Sequence, residues 1–183
     1  MANIVDLHTH STASDGLYSP TELFQRASEA GLRVVALTDH DSTNGLEEAA
    51  QAAQVHNIDF IPGIELNTDI QGGEVHVLGY FPEYTRPDFQ SVLQILRNAR
   101  VHRGQRMVEL LNEQGIHIRW ERVLEIAQGS VGRPHVAKAL LEAGYVKSIP
   151  EAFDKYIGSS SPAYVPRYKL TPQDAIRLIA SAN

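Results

Sequence analysis

Seven side chains of the types that bind divalent metal ions lie in or beside predicted strands, or at the start of a predicted helix. His8 and His10 follow the first apolar run. Because alternate residues of an extended segment face the same side, both imidazoles can bind one ion. Asp15 lies in a Ser-Asp-Gly turn, where the glycine lets the backbone fold the carboxylate back toward them. The remaining candidates are His40, Glu65, His76 and His135. Imidazole and carboxylate donors without thiolate suit zinc, manganese or iron.

The elements that carry these residues predict a parallel βα fold. Apolar runs predict four strands, and helical patterns separate the first three of them. A Ser-Pro-Thr-Glu capping box starts the first helix. The predicted strands are 4–7, 34–38, 60–65 and 73–80. Parallel strands share one carboxyl edge where sites are built, so we expect His8, His10, His40 and Glu65 to converge there.

The number of donors predicts more than one ion. Seven ligands exceed the four that a tetrahedral ion takes, so the sequence implies two or three ions, with Glu65 able to bridge two of them. His56, His102 and His117 lie in polar or helical surroundings at no strand end, and we do not expect them to be ligands.

The domain organisation follows from a change of pattern after residue 82. Residues 1–82 are expected to form the first part of a barrel, 83–130 a helical insertion, and 131–183 the continuation of the barrel. A candidate strand lies at Tyr164-Val165, and the last helix, after Thr171, has nothing following it to pack beneath. Closed βα barrels take about 200 residues or more, so we expect the barrel to be incomplete at its C-terminus.

Composition narrows the class of protein. The 183 residues include no cysteine, which excludes a disulfide scaffold, a thiolate zinc site and a cysteine nucleophile. No apolar run approaches the roughly 20 residues of a membrane span, so we expect a soluble cytoplasmic protein without a membrane partner. Residues 1–83 hold 13 acidic and 2 basic side chains, whereas residues 84–183 hold 9 acidic and 14 basic ones. This asymmetry suits a cation-binding centre and a surface for an anionic substrate, or merely two solvated faces of different sign.

Six short motifs, in order along the chain, carry a resemblance to a known family. They are His8-Thr9-His10-Ser11, Ser14-Asp15-Gly16, Thr38-Asp39-His40-Asp41, Pro62-Gly63-Ile64-Glu65, Glu74-Val75-His76 and Gly132-Arg133-Pro134-His135. From residue 4 to about 140 the sequence resembles the polymerase and histidinol phosphatase (PHP) metal-dependent phosphoesterases. It is most similar to the branch with a helical insertion that acts on 3′,5′-nucleoside bisphosphates and, from the 5′ end, on short RNA. The resemblance implies a distorted (β/α)7 barrel with three metal ions held by His8, His10, Asp15, His40, Glu65, His76 and His135. The family's late histidine-proline motif and closing Asp-x-His pair do not occur in this sequence.

The predicted chemistry is hydrolysis of a phosphate ester by a metal-activated water, without a serine or cysteine nucleophile. Glu65 and Arg133 are the predicted catalytic residues. Arg133, at a helix N-terminus, is expected to bind phosphate, or else to serve only as a structural residue of the helix start. The expected partner is a small phosphorylated substrate, a nucleotide or short RNA, and the sequence leaves protein partners open.

Three alternatives stay open at this point. They are a histidinol-phosphate-type phosphatase, a non-catalytic metal-binding PHP domain, and a deaminase or amidase of the amidohydrolase type. The amidohydrolase form with a bridging lysine is excluded, because no lysine precedes Lys138.

A basic row is a further candidate for substrate binding. Arginines recur at every third position of a predicted long helix, at Arg97, Arg100, Arg103 and Arg106. The row could contact successive phosphates of a short nucleic acid, or form a solvated face that pairs with Glu109 or Glu113.

Overall fold

The computed structural model describes residues 4–70, 73–127, 129–166 and 168–182, and of Glu74 only the backbone. The chain forms two compact units, one of Met1–Leu96 with Lys169–Asn183 and one of Arg97–Tyr168. The boundaries of these units differ from those of the insertion predicted over 83–130. The insertion stays a prediction about the architecture of the family.

The first unit has an α/β fold, as expected. Its elements are β1 (Ile4–Thr9), α1 (Pro20–Glu29), β2 (Leu32–Leu37), α2 (Leu46–His56), β3 (Asp59–Ile70) and β4 (Gly73–Tyr80). They form one four-stranded sheet in the order β1-β2-β3-β4. Although β1 and β4 lie at opposite edges of this order, the Tyr80 hydroxyl donates to the Leu7 carbonyl oxygen at 2.9 Å. The sheet is therefore curled, like part of a barrel wall.

The first three strands are parallel, and the fourth is not. β2 pairs in parallel with both β1 and β3, whereas β4 pairs antiparallel with β3. Only two residues separate β3 from β4, too few for the crossover that parallel pairing requires. The parallel pairing expected for the first three strands is therefore confirmed, and β4 does not share their carboxyl edge.

Local sequence signals explain where the helices of this unit begin and end. The Ser19 hydroxyl accepts a hydrogen bond from the Glu22 amide at 3.2 Å, and the Glu22 carboxylate accepts one from the Ser19 amide at 3.0 Å, so the predicted capping box is confirmed. Pro20 occupies the first turn of α1, where its missing N–H costs nothing. α2 ends at Asn57, which adopts the left-handed conformation with φ of 53°.

Apolar side chains pack on the sheet in two clusters. α1 and α2 bury Phe24 and Leu46 against Val35 and Leu37 of β2, and the ring of Phe24 meets that of Phe60 edge-on at 5.5 Å. The second cluster joins β3 to the start of α3 (Pro87–Glu113) and to a C-terminal helix; it contains Ile64, Leu66, Phe89, Leu93, Leu96 and Ala175. Neither cluster contains any of the predicted ligands.

The C-terminal helix, labelled α7 (Pro172–Ser181) by its place in the chain, packs on β3 and β4. The contact is close, because a Cβ placed on Gly79 would lie only 2.8 Å from Cγ1 of Ile179. The helix therefore covers strands that precede it in the chain. The candidate strand at Tyr164-Val165 is also wrong; a single parallel bridge instead joins Leu170 to Thr68.

The second unit is helical in its described residues. It contains the rest of α3, α4 (Trp120–Ala127), α5 (Arg133–Glu142), α6 (Ile149–Ala152) and a π-helical turn over Phe153–Ile157. Its core is formed by side chains from every one of these elements, among them Met107, Leu111, Val123, Leu140, Ala152 and Ile157. Within the described part of the chain, no helix combines the length and apolar character that crossing a bilayer needs.

Candidate metal centre

Four strands of the first unit bring predicted donors to one place. β1 contains His8 and ends immediately before His10, and His40 follows β2. A parallel bridge pairs His40 with Glu65 of β3, and β4 contributes His76. His76 thus reaches the site from the middle of an antiparallel strand rather than from a shared carboxyl end.

Glu65 lies at the middle of this arrangement and is only 1% exposed. Its Oε2 lies 2.8 Å from Nε2 of His8, 3.0 Å from Nε2 of His10 and 3.4 Å from Nδ1 of His40. Its Oε1 lies 2.5 Å from Nδ1 of His76. One buried carboxylate therefore contacts four imidazoles that come from three separate segments of the chain.

The surroundings of Glu65 favour its ionised form. Burial acts to raise the pKa of Glu65, but the hydrogen bonds of His10 and His76, together with the other two imidazoles, outweigh burial and hold the pKa well below its ordinary value. Burial likewise acts to lower the pKa of His10, yet the hydrogen bond to Glu65 and the negative charge nearby raise the pKa overall. The site therefore concentrates negative charge in a place that favours cations.

Donor atoms form three overlapping groups, and within each group they all lie within 4.8 Å of one another. The groups are His8-His10-Glu65, His10-Asp15-His40 and His40-Glu65-His76. The rings of His10 and His40 stack with centroids 4.6 Å apart, and Asp15 Oδ2 lies 3.8 Å from Nε2 of His40. Because each group shares a residue with the next, the arrangement suits neighbouring ions better than one isolated ion.

Asp39 fixes the loop between His10 and Asp15. Its buried carboxylate accepts hydrogen bonds from the Ser11 amide at 2.8 Å, the Ser11 hydroxyl at 2.7 Å and the Ser14 hydroxyl at 2.6 Å. Burial raises the pKa of Asp39, and these hydrogen bonds offset that effect only in part. Asp39 thereby orients the two donors that flank the loop.

Two positioning residues were missed by the reasoning from sequence. Asn67 Nδ2 donates to Nε2 of His76 at 2.7 Å, and the Asn67 amide donates to Oδ1 of buried Asp41 at 3.2 Å. Asp41 itself has a φ of 52°. Asp41 lies in the Thr38-Asp39-His40-Asp41 motif. No sequence pattern marks Asn67, because only the register between β3 and β4 places it beside His76.

The residues present fit a set of divalent ions. The donors are imidazole nitrogens and carboxylate oxygens, which suit zinc, manganese and iron. Nδ1 of His10 is buried and has no hydrogen-bond partner among the residues that the structure describes, and a buried polar atom of this kind calls for a partner. The six donors of the first unit are His8, His10, Asp15, His40, Glu65 and His76.

His135 and Arg133 belong to the second unit. His135 is 7% exposed, and its Nδ1 accepts a hydrogen bond from the Gly132 amide at 2.9 Å. The guanidinium carbon of Arg133 lies 5.4 Å from the centroid of the Phe153 ring. The roles predicted for these residues, as a metal ligand and as a phosphate-binding residue, stay predictions.

A βα sheet with clustered imidazoles around one buried carboxylate defines a protein with a candidate metal centre. The sequence model of the PHP domain family matches residues 6–178. The chain therefore belongs to the PHP domain family, and the resemblance carried by its motifs is confirmed.

Characterised relatives share most of this chain. A 5′-3′ exoribonuclease of Haemophilus influenzae is 38% identical over 165 residues, which cover 90% of this chain and 60% of that protein. A 3′,5′-nucleoside bisphosphate phosphatase of Chromobacterium violaceum is 36% identical over 189 aligned positions, which cover 100% of this chain and 65% of that protein. The chain thus spans 60–65% of the length of these relatives.

Solved structures have the same fold. An amidohydrolase from Chromobacterium violaceum, solved with sulfate and without metal, superposes with a TM-score of 0.92 at 34% identity over 99% of this chain and 64% of that one. A structure from Bifidobacterium adolescentis, assigned to a metal-dependent phosphoesterase, gives a TM-score of 0.93 at 31% identity over 100% of this chain and 65% of that one.

Proposed function

We propose that this chain supplies the metal centre of a metal-dependent phosphoesterase that hydrolyses phosphate esters of nucleotides or short RNA. The observation that carries the proposal is the contact of both oxygens of buried Glu65 with four imidazoles. The names of the relatives support the substrate class, since one is a 5′-3′ exoribonuclease and another a 3′,5′-nucleoside bisphosphate phosphatase. The fold proposed for the whole protein is the distorted (β/α)7 barrel of the family.

The proposed ligands hold two or three ions of manganese, zinc or iron. They are His8, His10, Asp15, His40, Glu65 and His76, with His135 from the second unit. Ions held by these residues would supply Lewis-acid chemistry, namely activation of a water and neutralisation of charge on phosphate oxygens. The lowered pKa of Glu65 favours its ionised form, and its carboxylate would contribute a ligand to two of the donor groups.

The other residues of the site position these donors or bind substrate. Asp39 holds the loop that carries Asp15, and Asn67 fixes the ring orientation of His76 through its amide. Arg133 is proposed to bind a phosphate group, because a guanidinium at a helix N-terminus offers paired donors and positive charge to an anion. Protein side chains supply no nucleophile in this scheme.

The proposal is tested by phosphate release in the presence of manganese. The substrates are adenosine 3′,5′-bisphosphate, short 5′-phosphorylated RNA and histidinol phosphate, and the matched variants are Glu65→Gln and Glu47→Gln. Glu47 is an exposed glutamate of α2, so its variant controls for the loss of one carboxylate. We expect release from the nucleotide substrates with wild-type protein and Glu47→Gln, but not with Glu65→Gln. Release from histidinol phosphate alone would contradict the substrate class, and metal-dependent release at normal rates from Glu65→Gln would contradict the role of Glu65.

A further inference from the structure

The Tyr80 hydroxyl connects two strands of the metal centre that do not pair with each other. Tyr80 is the last residue of β4, and its hydroxyl donates to the Leu7 carbonyl oxygen of β1 at 2.9 Å. Among the described strands, β1 pairs with β2 and β4 pairs with β3. His8 follows Leu7 directly, and His76 lies four residues before Tyr80. The hydrogen bond therefore links the two segments that place His8 and His76 on opposite oxygens of Glu65.

The pairing of β1 with β2 does not by itself fix the position of His8. The register places Asp6 opposite Val35 and then Thr9 opposite Leu37, so β1 has one residue more than β2 in this stretch. An extra residue of this kind disrupts the ladder locally, and such irregularities turn side chains toward active sites. Because His8 lies within the irregular stretch, other contacts must hold this part of β1.

The ring of His8 also lacks the packing that would hold it in place. Its side chain is 50% exposed, whereas that of His40 is 14% exposed. Two side chains bond to the backbone here, since Asp6 Oδ1 accepts a hydrogen bond from the His8 amide at 3.1 Å and Tyr80 donates to Leu7. Asp6 belongs to β1 itself, so of these two contacts only the one from Tyr80 ties the segment to another strand.

The backbone on both sides of Tyr80 is fixed by neighbouring elements. A Cβ at Gly79 would lie 2.8 Å from Cγ1 of Ile179, so α7 packs closely against the residue before Tyr80. The Phe81 amide donates to the Pro62 carbonyl oxygen of β3 at 2.7 Å, and Phe81 has a φ of 58°, which a bulky side chain rarely adopts. The hydroxyl of Tyr80 therefore extends from a well-anchored strand end.

Tyr80 also lies on the face of β4 that carries His76. Residues four positions apart in an extended strand face the same side. Burial and the negative charges of Asp6 and Glu65 raise the pKa of Tyr80, so its hydroxyl keeps its proton and donates to the backbone of β1.

We propose that Tyr80 is a positioning residue of the metal centre, which holds the Leu7-His8 segment of β1 so that His8 binds an ion beside His76. The inference rests on the proposed function, since it concerns the same centre. Tyr80→Phe keeps the aromatic ring, the six donors and the net charge, and it removes the tie between β1 and β4. Leu7 is 41% exposed, so water can replace the lost donor, and the substitution acts on the position of the segment.

Tyr145 offers a matched control in the second unit. Its hydroxyl accepts a hydrogen bond from the His117 amide at 3.0 Å. Neither of these residues belongs to a donor group. Tyr145→Phe therefore removes a tyrosine hydroxyl that bonds to the backbone, as Tyr80→Phe does, but leaves the donor groups unchanged.

The test is equilibrium dialysis of the full chain with manganese. The variants are Tyr80→Phe, Tyr145→Phe, His8→Ala and the double variant with Tyr80→Phe and His8→Ala. We expect Tyr80→Phe to weaken manganese binding about 10- to 100-fold and Tyr145→Phe to bind like wild type. Because Tyr80 acts through His8, the double variant should bind like His8→Ala alone. The visible absorption of the cobalt-loaded chain reports ligand geometry, and it should change in Tyr80→Phe but not in Tyr145→Phe.

The other outcomes separate this inference from the proposed function. Unchanged manganese affinity or an unchanged cobalt spectrum in Tyr80→Phe would overturn the positioning role and leave the metal centre standing. Equal weakening by both tyrosine variants would show a general effect on stability. Additive losses in the double variant would show that Tyr80 does not act through His8, and either result overturns the inference. Failure of the wild-type chain to bind manganese would overturn the proposed function and this inference with it.

Discussion

Removing the Glu65 carboxylate should abolish most of the stabilisation that metal ions give to the folded chain. Glu65 belongs to two of the three donor groups, whereas Asp15 belongs to one. Replacing Glu65 with glutamine therefore affects two groups at once, and Asp15→Asn affects a single group. Both substitutions keep the side-chain volume nearly unchanged, so the difference between them reports on ligand function.

The magnitude follows from mass action. An ion present at 100 times its dissociation constant stabilises the folded state by about 2.7 kcal/mol, which for a chain of this length raises the melting temperature by about 5–11 °C. Loss of one charge-assisted contact weakens binding by up to about a hundred-fold. For Glu65→Gln the remaining stabilisation is then about 0.4 kcal/mol, or about 1–2 °C. A ten-fold weakening in Asp15→Asn leaves about 1.4 kcal/mol, or about 3–6 °C.

Thermal unfolding with EDTA or with manganese at one fixed concentration measures these shifts. Wild-type protein and the exposed-residue control Glu47→Gln should show the full increase, Asp15→Asn an intermediate one and Glu65→Gln almost none. An undiminished increase in Glu65→Gln would refute the assignment of this residue to two ion sites. An increase of the same size in Asp15→Asn and Glu65→Gln would refute the overlap of the groups.

Three further substitutions test the structure around the centre. Asp39→Ala removes the acceptor of three buried hydrogen bonds. It should lower the free energy of unfolding, measured by urea titration, by about 3–5 kcal/mol. A loss below about 1 kcal/mol would contradict the stabilising role of Asp39. Gly79→Ala places a methyl group 2.8 Å from Ile179 and should lower the free energy of unfolding by about 1–3 kcal/mol. Gly73→Ala is the control and should not destabilise the chain, because no atom lies within 4 Å of a Cβ at that position. Ile179→Ala should restore part of the Gly79→Ala loss, and strict additivity would argue against this contact. Asn67→Ala should weaken manganese binding about 10- to 100-fold in equilibrium dialysis, and unchanged affinity would exclude a positioning role.

The donors could be predicted from the sequence because each stands next to a strong local signal. His8 and His10 follow an apolar run, and His40 ends another, so the strand pattern alone places three imidazoles near one edge. The structure brings these together with Glu65 and His76. Local signals also identify the start of α1, where the predicted capping box precedes Pro20.

The features that the sequence could not reveal depend on contacts between elements. β3 was expected to end at Glu65 because polar residues follow it, yet pairing with β4 extends it to Ile70. That same pairing places Asn67 opposite His76, which no spacing in the sequence indicates. The repeat of arginines on α3 likewise predicts a row, but only the structure shows that Arg106 pairs with Glu109 and Glu113.

The charge balance of the first half of the chain gives an independent reason to expect bound cations. Asp39, Asp41 and Glu65 are all almost completely buried, but residues 1–83 contain only Arg26 and Arg33 as permanently charged bases. Asp39 is compensated by hydroxyl and amide donors, whereas the partners of Glu65 are four imidazoles, which are also good metal ligands. A buried carboxylate costs several kcal/mol unless positive charge and hydrogen bonds compensate it. Divalent ions would supply positive charge and would use the same imidazoles as ligands, so we expect the folded chain to be more stable with metal than without it.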